Sequence, residues 1–207
     1  MPDDTLTSLS CPLYYVRHGQ TEWNRDGRLQ GRQDSALTQL GRSQAEQQGR
    51  ILARLLEAPT EFQFIASPLG RTRETARIVT ATLGVAFDTV RLDERLVELS
   101  FGSWEGATEQ DVEAHSPGQW AAREAQMWSH RAPSGGESYS DAAERAALWL
   151  AEWRTAPRPT VIISHGGLGR VFRGHYAGLS PAEALALDFP QGVVHLLQNG
   201  VLTDFAA

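Results

Sequence analysis

Two short apolar runs in this chain stop on a histidine and a glycine. Leu13-Tyr14-Tyr15-Val16 runs into Arg17-His18-Gly19, and Thr160-Val161-Ile162-Ile163-Ser164 runs into His165-Gly166-Gly167. Between them, Phe62-Gln63-Phe64-Ile65-Ala66-Ser67 stops on Pro68, with Arg71 and Arg73 one helical turn further on. Two imidazoles and one or two guanidiniums, with glycines that let backbone come close, suit a tetrahedral dianion such as a phosphoryl group. Once the charge is neutralised, one neutral imidazole can attack phosphorus and carry the group as a phosphohistidine. The other holds the equatorial oxygens. A nearby carboxyl, for which Glu98 is the candidate, protonates the leaving oxygen and then takes a proton from water. Arginines fill the role of a divalent cation, so neither a metal nor another cofactor is expected. The scheme has two requirements: His18 and His165 must face one cavity, and a ring nitrogen of His18 must be open to the anion. Taken singly, each residue has an ordinary structural explanation, and it is their joint occurrence that points to chemistry. His115, His130, His175 and His195 lack such a setting and read as structural, and Trp23 and Trp104 read as packing.

The elements that must position these groups follow from periodicity. Apolar runs rich in β-branched and aromatic residues are buried strands, and open α/β sheets bind ligands at the carboxyl ends of their strands. Residues 1–12 are polar and expected to be loosely held. Thr38 is an N-cap for a helix to about Glu57, with Leu40, Ala45, Ile51, Leu52, Leu55 and Leu56 as its stripe and Pro59 closing it. Strand two covers about 62–66, and a helix from Pro68 runs to Gly84. A short third strand is expected within 85–92, and 93–110 is a long connection carrying Glu98. Two short helices fill 108–130, broken at Ser116-Pro117-Gly118. A helix spans about 139–153 with Ala143, Ala146, Ala147, Leu148 and Leu150 inward, and another spans about 167–176. The chain closes on a hairpin turning at Asn199-Gly200. Strands alternating with helices predict an α/β fold: one three-layer αβα domain over 1–207, its sheet largely parallel, with helices on both faces.

Bulk properties exclude several classes. At 207 residues with 41% apolar and 21% charged residues, the chain suits one soluble domain. A net charge of −6 argues against nucleic-acid or anionic-membrane partners. All 19 basic residues are arginine, which removes Schiff-base chemistry and the lysine-dependent phosphate loop. The single cysteine, Cys11, allows no internal disulfide and no thiolate metal cage. With neither signal core nor membrane span, a cytoplasmic protein is expected.

Longer blocks add a resemblance. Arg17-His18-Gly19-Gln20-Thr21-Glu22-Trp23-Asn24, then 27–31 and 34–38, are similar to the histidine phosphatase superfamily in its phosphoglycerate-mutase-like branch. Ser67 to Ala76, Glu98 to Gly106, and Ser164 to Gly167 match its later blocks in order. The resemblance implies a phosphoglycerate-mutase-like fold, with His18 as the phosphorylated nucleophile and Arg17, Arg71 and His165 as the phosphate pocket. It also implies Glu98 as proton donor, with Thr21, Asn24, Gln30, Gly31 and Gly166 as further phosphate or substrate contacts.

Within that family, mutases typically follow the glutamate with Arg-His-Tyr-Gly and add a basic insertion. Here Glu98 is followed by Leu-Ser-Phe-Gly-Ser-Trp-Glu-Gly, there is no lysine, and no long tail follows the last strand. Hydrolysis of a small phosphorylated metabolite is therefore expected over mutase activity or phosphometabolite binding without turnover. The loop 25–34 and the excursion 107–137 are expected to form the surface that discriminates among substrates; Trp120, Arg123, Met127, Trp128 and Arg131 there fit either an organic moiety beyond the phosphate or, at least as well, ordinary packing. No feature of the sequence sets an oligomeric state.

Overall fold

The computed structural model describes residues 10–206, so the expectation for the first nine residues lies outside them. Six strands form one sheet: β1 (Leu13–Arg17), β2 (Gln63–Ala66), β3 (Arg91–Leu92), β4 (Thr160–Ser164), β5 (Val194–Gln198) and β6 (Val201–Phe205). Their order is β3-β2-β4-β1-β5-β6. The first four are mutually parallel, while β5 runs antiparallel to β1 and β6 antiparallel to β5. The sheet is thus parallel except at one edge, where Asn199 and Gly200, at φ 54° and 73°, make the two-residue turn.

Period-two alternation divides the core. Leu13, Tyr15, Ile65 and Ile162 pack on α6 (Tyr139–Thr155) and α7 (Gly166–Tyr176). Tyr14, Val16, Phe64, Val161 and Ile163 pack on α2 (Gln39–Leu55) and α3 (Gly70–Thr82). Helices therefore cover both faces, and the central strand β4 is buried at every position. Thr38 caps α2 as expected, its side chain accepting from Gly41 N–H. Beyond β1 the chain lies backbone against backbone on the first turn of α2. A Cβ at Gly41 would stand 2.0 Å from the Gln20 oxygen and one at Gly19 2.1 Å from the Gly41 oxygen, so neither position has room for a side chain.

Four local expectations need correction. The third strand is only two residues long, because Phe87–Thr89 turns as a 3-10 segment and residues 85 and 87 pack on the core. Leu148 is 68% exposed, since the buried face of α6 is Tyr139, Ala142, Ala146, Trp149, Leu150 and Trp153, a spacing of three and four that puts 148 outside. Leu40 likewise faces outward at 53% exposure. Two short helices escaped the sequence: α1 (Glu22–Arg25), with Thr21 and Asn24 as a capping box, and α8 (Pro181–Ala186), with Ser180 and Glu183. The excursion holds α4 (Glu109–His115) and α5 (Gln119–Ala125), separated as expected.

Candidate active site

Register brings the two histidines together. Arg17 pairs with Ser164 at the ends of adjacent parallel strands β1 and β4, so His18 and His165 leave the sheet side by side. The His18 N–H donates to the Ser164 carbonyl at 2.9 Å, and the two rings lie 5.3 Å apart at 63°. β2 ends level with them, the Ser67 N–H donating to the Ile163 carbonyl. After β2 the chain turns at Pro68 into α3, whose second residue is Arg71. The expected rim is therefore present, and both histidines face one place.

The protein assigns a tautomer to each ring. His18 is buried, and its Nδ1 lies 2.8 Å from the Gly19 carbonyl, which can only accept, so Nδ1 carries the proton. The lone pair is then on Nε2, where Arg71 Nε approaches at 3.3 Å. Among the described residues the one hydrogen-bond partner of that nitrogen is thus a long contact from a cation that itself suits an anion. Burial first, then the Arg71 and Arg17 guanidiniums, hold this imidazole well below the usual histidine range. His165 is fully buried, with Nε2 2.8 Å from Ser67 Oγ. That oxygen also accepts from Leu69 N–H at 3.4 Å, and among the described residues its own hydrogen has no acceptor other than Nε2, which favours the tautomer with the proton of His165 on Nδ1. Burial, Arg71, His18 and Arg17, in that order, depress this ring too.

The arginines are held differently. Arg71 Nη1 donates to the Gln33 carbonyl at 2.6 Å and to Asp34 Oδ1 at 2.8 Å, and Nη2 to the Gly31 carbonyl at 2.7 Å. Asp34 also receives Gly70 N–H at 2.6 Å, joining the loop to the start of α3. Arg17 Nη1 donates to the Phe189 carbonyl at 2.8 Å, and a Cβ at Gly166 would stand 3.1 Å from its guanidinium carbon. Burial opposes the charge of both arginines, while Glu98 favours it. Arg17 Nε and His165 Nδ1 are buried without a partner among the described residues. An unpaired buried polar group costs about 1–3 kcal/mol, so an anion that accepts from both would be well received.

Glu98 sits at the N-terminus of α7. Its Oε1 accepts from Leu99 and Leu168 N–H at 3.1 and 2.9 Å, and its Oε2 from Gly167 N–H at 3.0 Å. Of the other expected contacts, Thr21 and Gln30 are buried and bonded to one another at 2.7 Å, and Gln30 also receives Ser35 Oγ–H. Gly31 contributes its carbonyl to Arg71 rather than a donor. Asn24 Oδ1 accepts from Thr21 N–H and from Gln191 Nε2. Arg73 is exposed. Sequence reasoning missed Ser67, Asp34 and Gln191, and also Glu105, which accepts from the N–H groups of Arg32, Gln33 and Phe101 and so joins the 30–34 loop to the segment after Glu98.

In the excursion, Arg123 lies over the Trp120 ring at 4.9 Å, Trp104 stacks on His130, and Met127 and Trp128 pack on the core, so these side chains serve packing. Among the described residues no three His, Cys, Asp or Glu converge to hold a metal ion, and no helix is long and apolar enough to cross a membrane.

Known proteins resemble this chain in sequence and in fold. A glucosyl-3-phosphoglycerate phosphatase of Mycobacterium tuberculosis is 36% identical over 167 residues, which is 75% of this chain and 70% of the relative. An acid phosphatase of the same species is 32% identical over 194 residues, 91% of this chain and 88% of the relative. A probable phosphoglycerate mutase of Erwinia tasmaniensis is 39% identical over 175 residues, 83% and 77% of the two chains. The structure of the mycobacterial glucosyl-3-phosphoglycerate phosphatase in complex with VO3 superimposes with a TM-score of 0.77 at 31% identity, over 90% of this chain and 92% of that one. An alpha-ribazole phosphatase of Shigella flexneri, at 23% identity and a TM-score of 0.79 over 94% and 95% of the two chains, shares the fold. The model of branch 1 of the histidine phosphatase superfamily matches residues 13–199, and the chain belongs to that family.

Proposed function

We propose that this protein is a phosphomonoester hydrolase that works without a metal, through a phosphohistidine on His18. The observation that carries the reading is the state of that ring: buried, neutral, its Nδ1 proton fixed on the Gly19 carbonyl and its Nε2 lone pair beside a guanidinium. A substrate phosphoryl group enters among Arg17, Arg71 and His165, whose N–H groups bind its oxygens. Arg71 Nε–H then moves from His18 to a phosphoryl oxygen, which frees Nε2 to attack. The N–P bond forms as the P–O ester bond breaks, and the leaving oxygen takes a proton from Glu98. Oε2 has a single backbone partner and is the oxygen with room for that proton. In the second half, Glu98 takes a proton from water, whose oxygen displaces Nε2 and releases inorganic phosphate. The Nδ1–H to carbonyl bond supports the positive charge on the phosphorylated ring, and the neutral Nδ1–H of His165 stabilises the equatorial oxygens as charge shifts.

The named activities of the relatives, glucosyl-3-phosphoglycerate phosphatase and acid phosphatase, support hydrolysis of a small organic phosphate over isomerisation. Phosphorylated glycerates and their glycosides are the first class to try, and such substrates support a cytoplasmic location. The test is incubation with an aryl phosphate in the presence of a chelator, followed by acid-quench trapping of labelled enzyme. The expected result is phosphate release and an acid-labile label that His18→Ala abolishes. Turnover seen only after metal is added back, or a label that survives His18→Ala, would overturn the mechanism.

A further inference from the structure

Resting on the reading of Arg17 and Asn24 as phosphate ligands, we infer that Gln191 is a positioning residue and that the segment 187–193 orients the phosphate pocket. This segment links α8 to β5 and has no regular structure of its own. Three successive carbonyls on it are each held by a different arginine: Leu187 by Arg170 at 3.0 Å, Asp188 by Arg173, and Phe189 by Arg17 at 2.8 Å. The Phe189 ring is wedged between His195, stacked at 4.6 Å, and Tyr15 at 5.4 Å, with the Arg173 guanidinium 4.7 Å above it. Further on, Gln47 and Gln48 of α2 donate to the Gly192 and Val193 carbonyls, and Gln48 also donates to the Arg17 carbonyl. A loop tied at so many points is a rigid support, and a rigid support can set the direction of the side chains it touches.

It touches two on the expected anion site. Through the Phe189 carbonyl it occupies Nη1 of Arg17, which leaves Nε, buried and unpartnered, for a ligand. Through Gln191 it acts on Asn24, 167 positions earlier, where Nε2 donates to Oδ1 at 3.0 Å. The Asn24 oxygen also accepts from Thr21 N–H at 3.3 Å, within the cap of α1. A primary amide has one accepting and one donating end. With both neighbours on Oδ1, the Nδ2 end and its two N–H groups have no protein partner among the described residues and are left for an anion. Without Gln191 only the longer Thr21 contact resists a flip that would turn an oxygen toward the phosphate.

Steady-state kinetics with an aryl phosphate, and competitive inhibition by inorganic phosphate, test this in a double-mutant cycle. Gln191 is partly exposed, so Gln191→Leu is expected to fold and melt like the parent. It should raise KM and the inhibition constant for phosphate about tenfold with kcat changed less than about twofold, the pattern of a lost ground-state contact. Gln191→Glu, of the same shape but with only acceptors, should cost more because it selects the flipped amide. In an Asn24→Ala background Gln191→Leu should add less than about twofold, since nothing remains to orient. If Asn24→Ala is impaired but Gln191→Leu is not, or if the two losses simply add, the positioning role is wrong while the pocket stands. If Asn24→Ala itself leaves phosphate affinity unchanged, the assignment of the pocket fails and this inference with it.

Discussion

Ser67→Ala isolates one contact that the mechanism depends on. Ser67 and His165 are both fully buried, and among the described residues the 2.8 Å bond between Oγ and Nε2 is the only interaction that selects the His165 tautomer. Because Oγ–H has no other acceptor among the described residues, it donates to Nε2 and the imidazole presents Nδ1–H. Removing the hydroxyl leaves a buried acceptor unpaired and the tautomers unbiased. A loss of about 1–2 kcal/mol of orientation corresponds to a fall in kcat/KM of about five- to thirtyfold. Deleting an oxyanion donor outright, as in His165→Ala, should cost about 10²–10³-fold. The assay is kcat/KM for an aryl phosphate across pH, beside 15N shifts of the histidine ring nitrogens. The wild-type spectrum should show His165 protonated on Nδ1 and the variant a mixture. Ser67→Thr keeps the hydroxyl and should lie between the two, with its melting temperature reporting whether the extra methyl fits. Wild-type His165 protonated on Nε2, or Ser67→Ala within twofold of the parent, would refute the assignment.

Other perturbations have equally direct expectations. Gly41→Ala puts a methyl 2.0 Å from the Gln20 oxygen, a backbone atom with nowhere to go, and should cost about 2–4 kcal/mol, seen as a melting temperature lower by about 5 °C or more. His195 is pushed down from 6.5 to about 4, chiefly by burial and then by Arg173, so the unfolded chain takes up this proton first as pH falls. That group's share of stability is intact above about pH 6.5 and is lost on acidification, by about 3 kcal/mol at pH 4; urea melts of His195→Gln should show a shallower acid slope than the parent. His18 is depressed in the same direction, so the acid limb of kcat/KM should lie below the ordinary histidine range, and a limb at pH 6.5 would contradict a neutral buried nucleophile. Glu98→Gln should slow turnover most for esters with poor leaving groups, and equal slowing across leaving groups would remove Glu98 from the acid role. Incubation with 3-phosphoglycerate and catalytic bisphosphoglycerate should yield little 2-phosphoglycerate, and brisk interconversion would reverse the choice of hydrolase.

What the sequence made legible, and what it did not, follows from the range over which each feature is specified. His18 and His165 could be found because a buried strand that ends on an imidazole is a local signal, and the parallel pairing of β1 with β4 then puts them side by side. Thr38, the turn at Asn199-Gly200 and the break at 116–118 are local as well. Ser67 stood in plain view before Pro68, yet its partner is 98 positions away, and Asp34 meets Arg71 across 37. A serine or aspartate in a loop carries no mark of such a contact. Gln30 and Gly31 show the converse: a motif marks them as important without saying that one supports Thr21 and the other lends Arg71 a carbonyl. The helix at 181–186 had a full start signal in Ser180-Pro181-Ala182-Glu183, but its single turn and a half is too short for a periodic stripe to register.

Hydrolysis rather than group transfer is also what the arrangement of charge favours. A mutase must keep a second phosphate on its intermediate, and that needs cations at the mouth beyond those gripping the first. In the two segments expected to face the substrate, every arginine is already engaged. Arg25 pairs with Asp26, Arg28 lies 3.9 Å from Asp111, Arg32 pairs with Glu137, Arg131 pairs with Asp141, and Arg123 is stacked on Trp120. Such exposed pairs are individually weak, about 0–1 kcal/mol, so a second phosphate could displace a carboxylate, but the carboxylate would stay nearby and cancel part of the gain. Arg71, by contrast, is buried and Arg17 is held by its bond to the Phe189 carbonyl, so neither can leave its place to follow a group that turns over in the pocket. Strong affinity for one phosphoryl group and little for a second favours release of the product alcohol before water arrives, which is the order of events in a hydrolase.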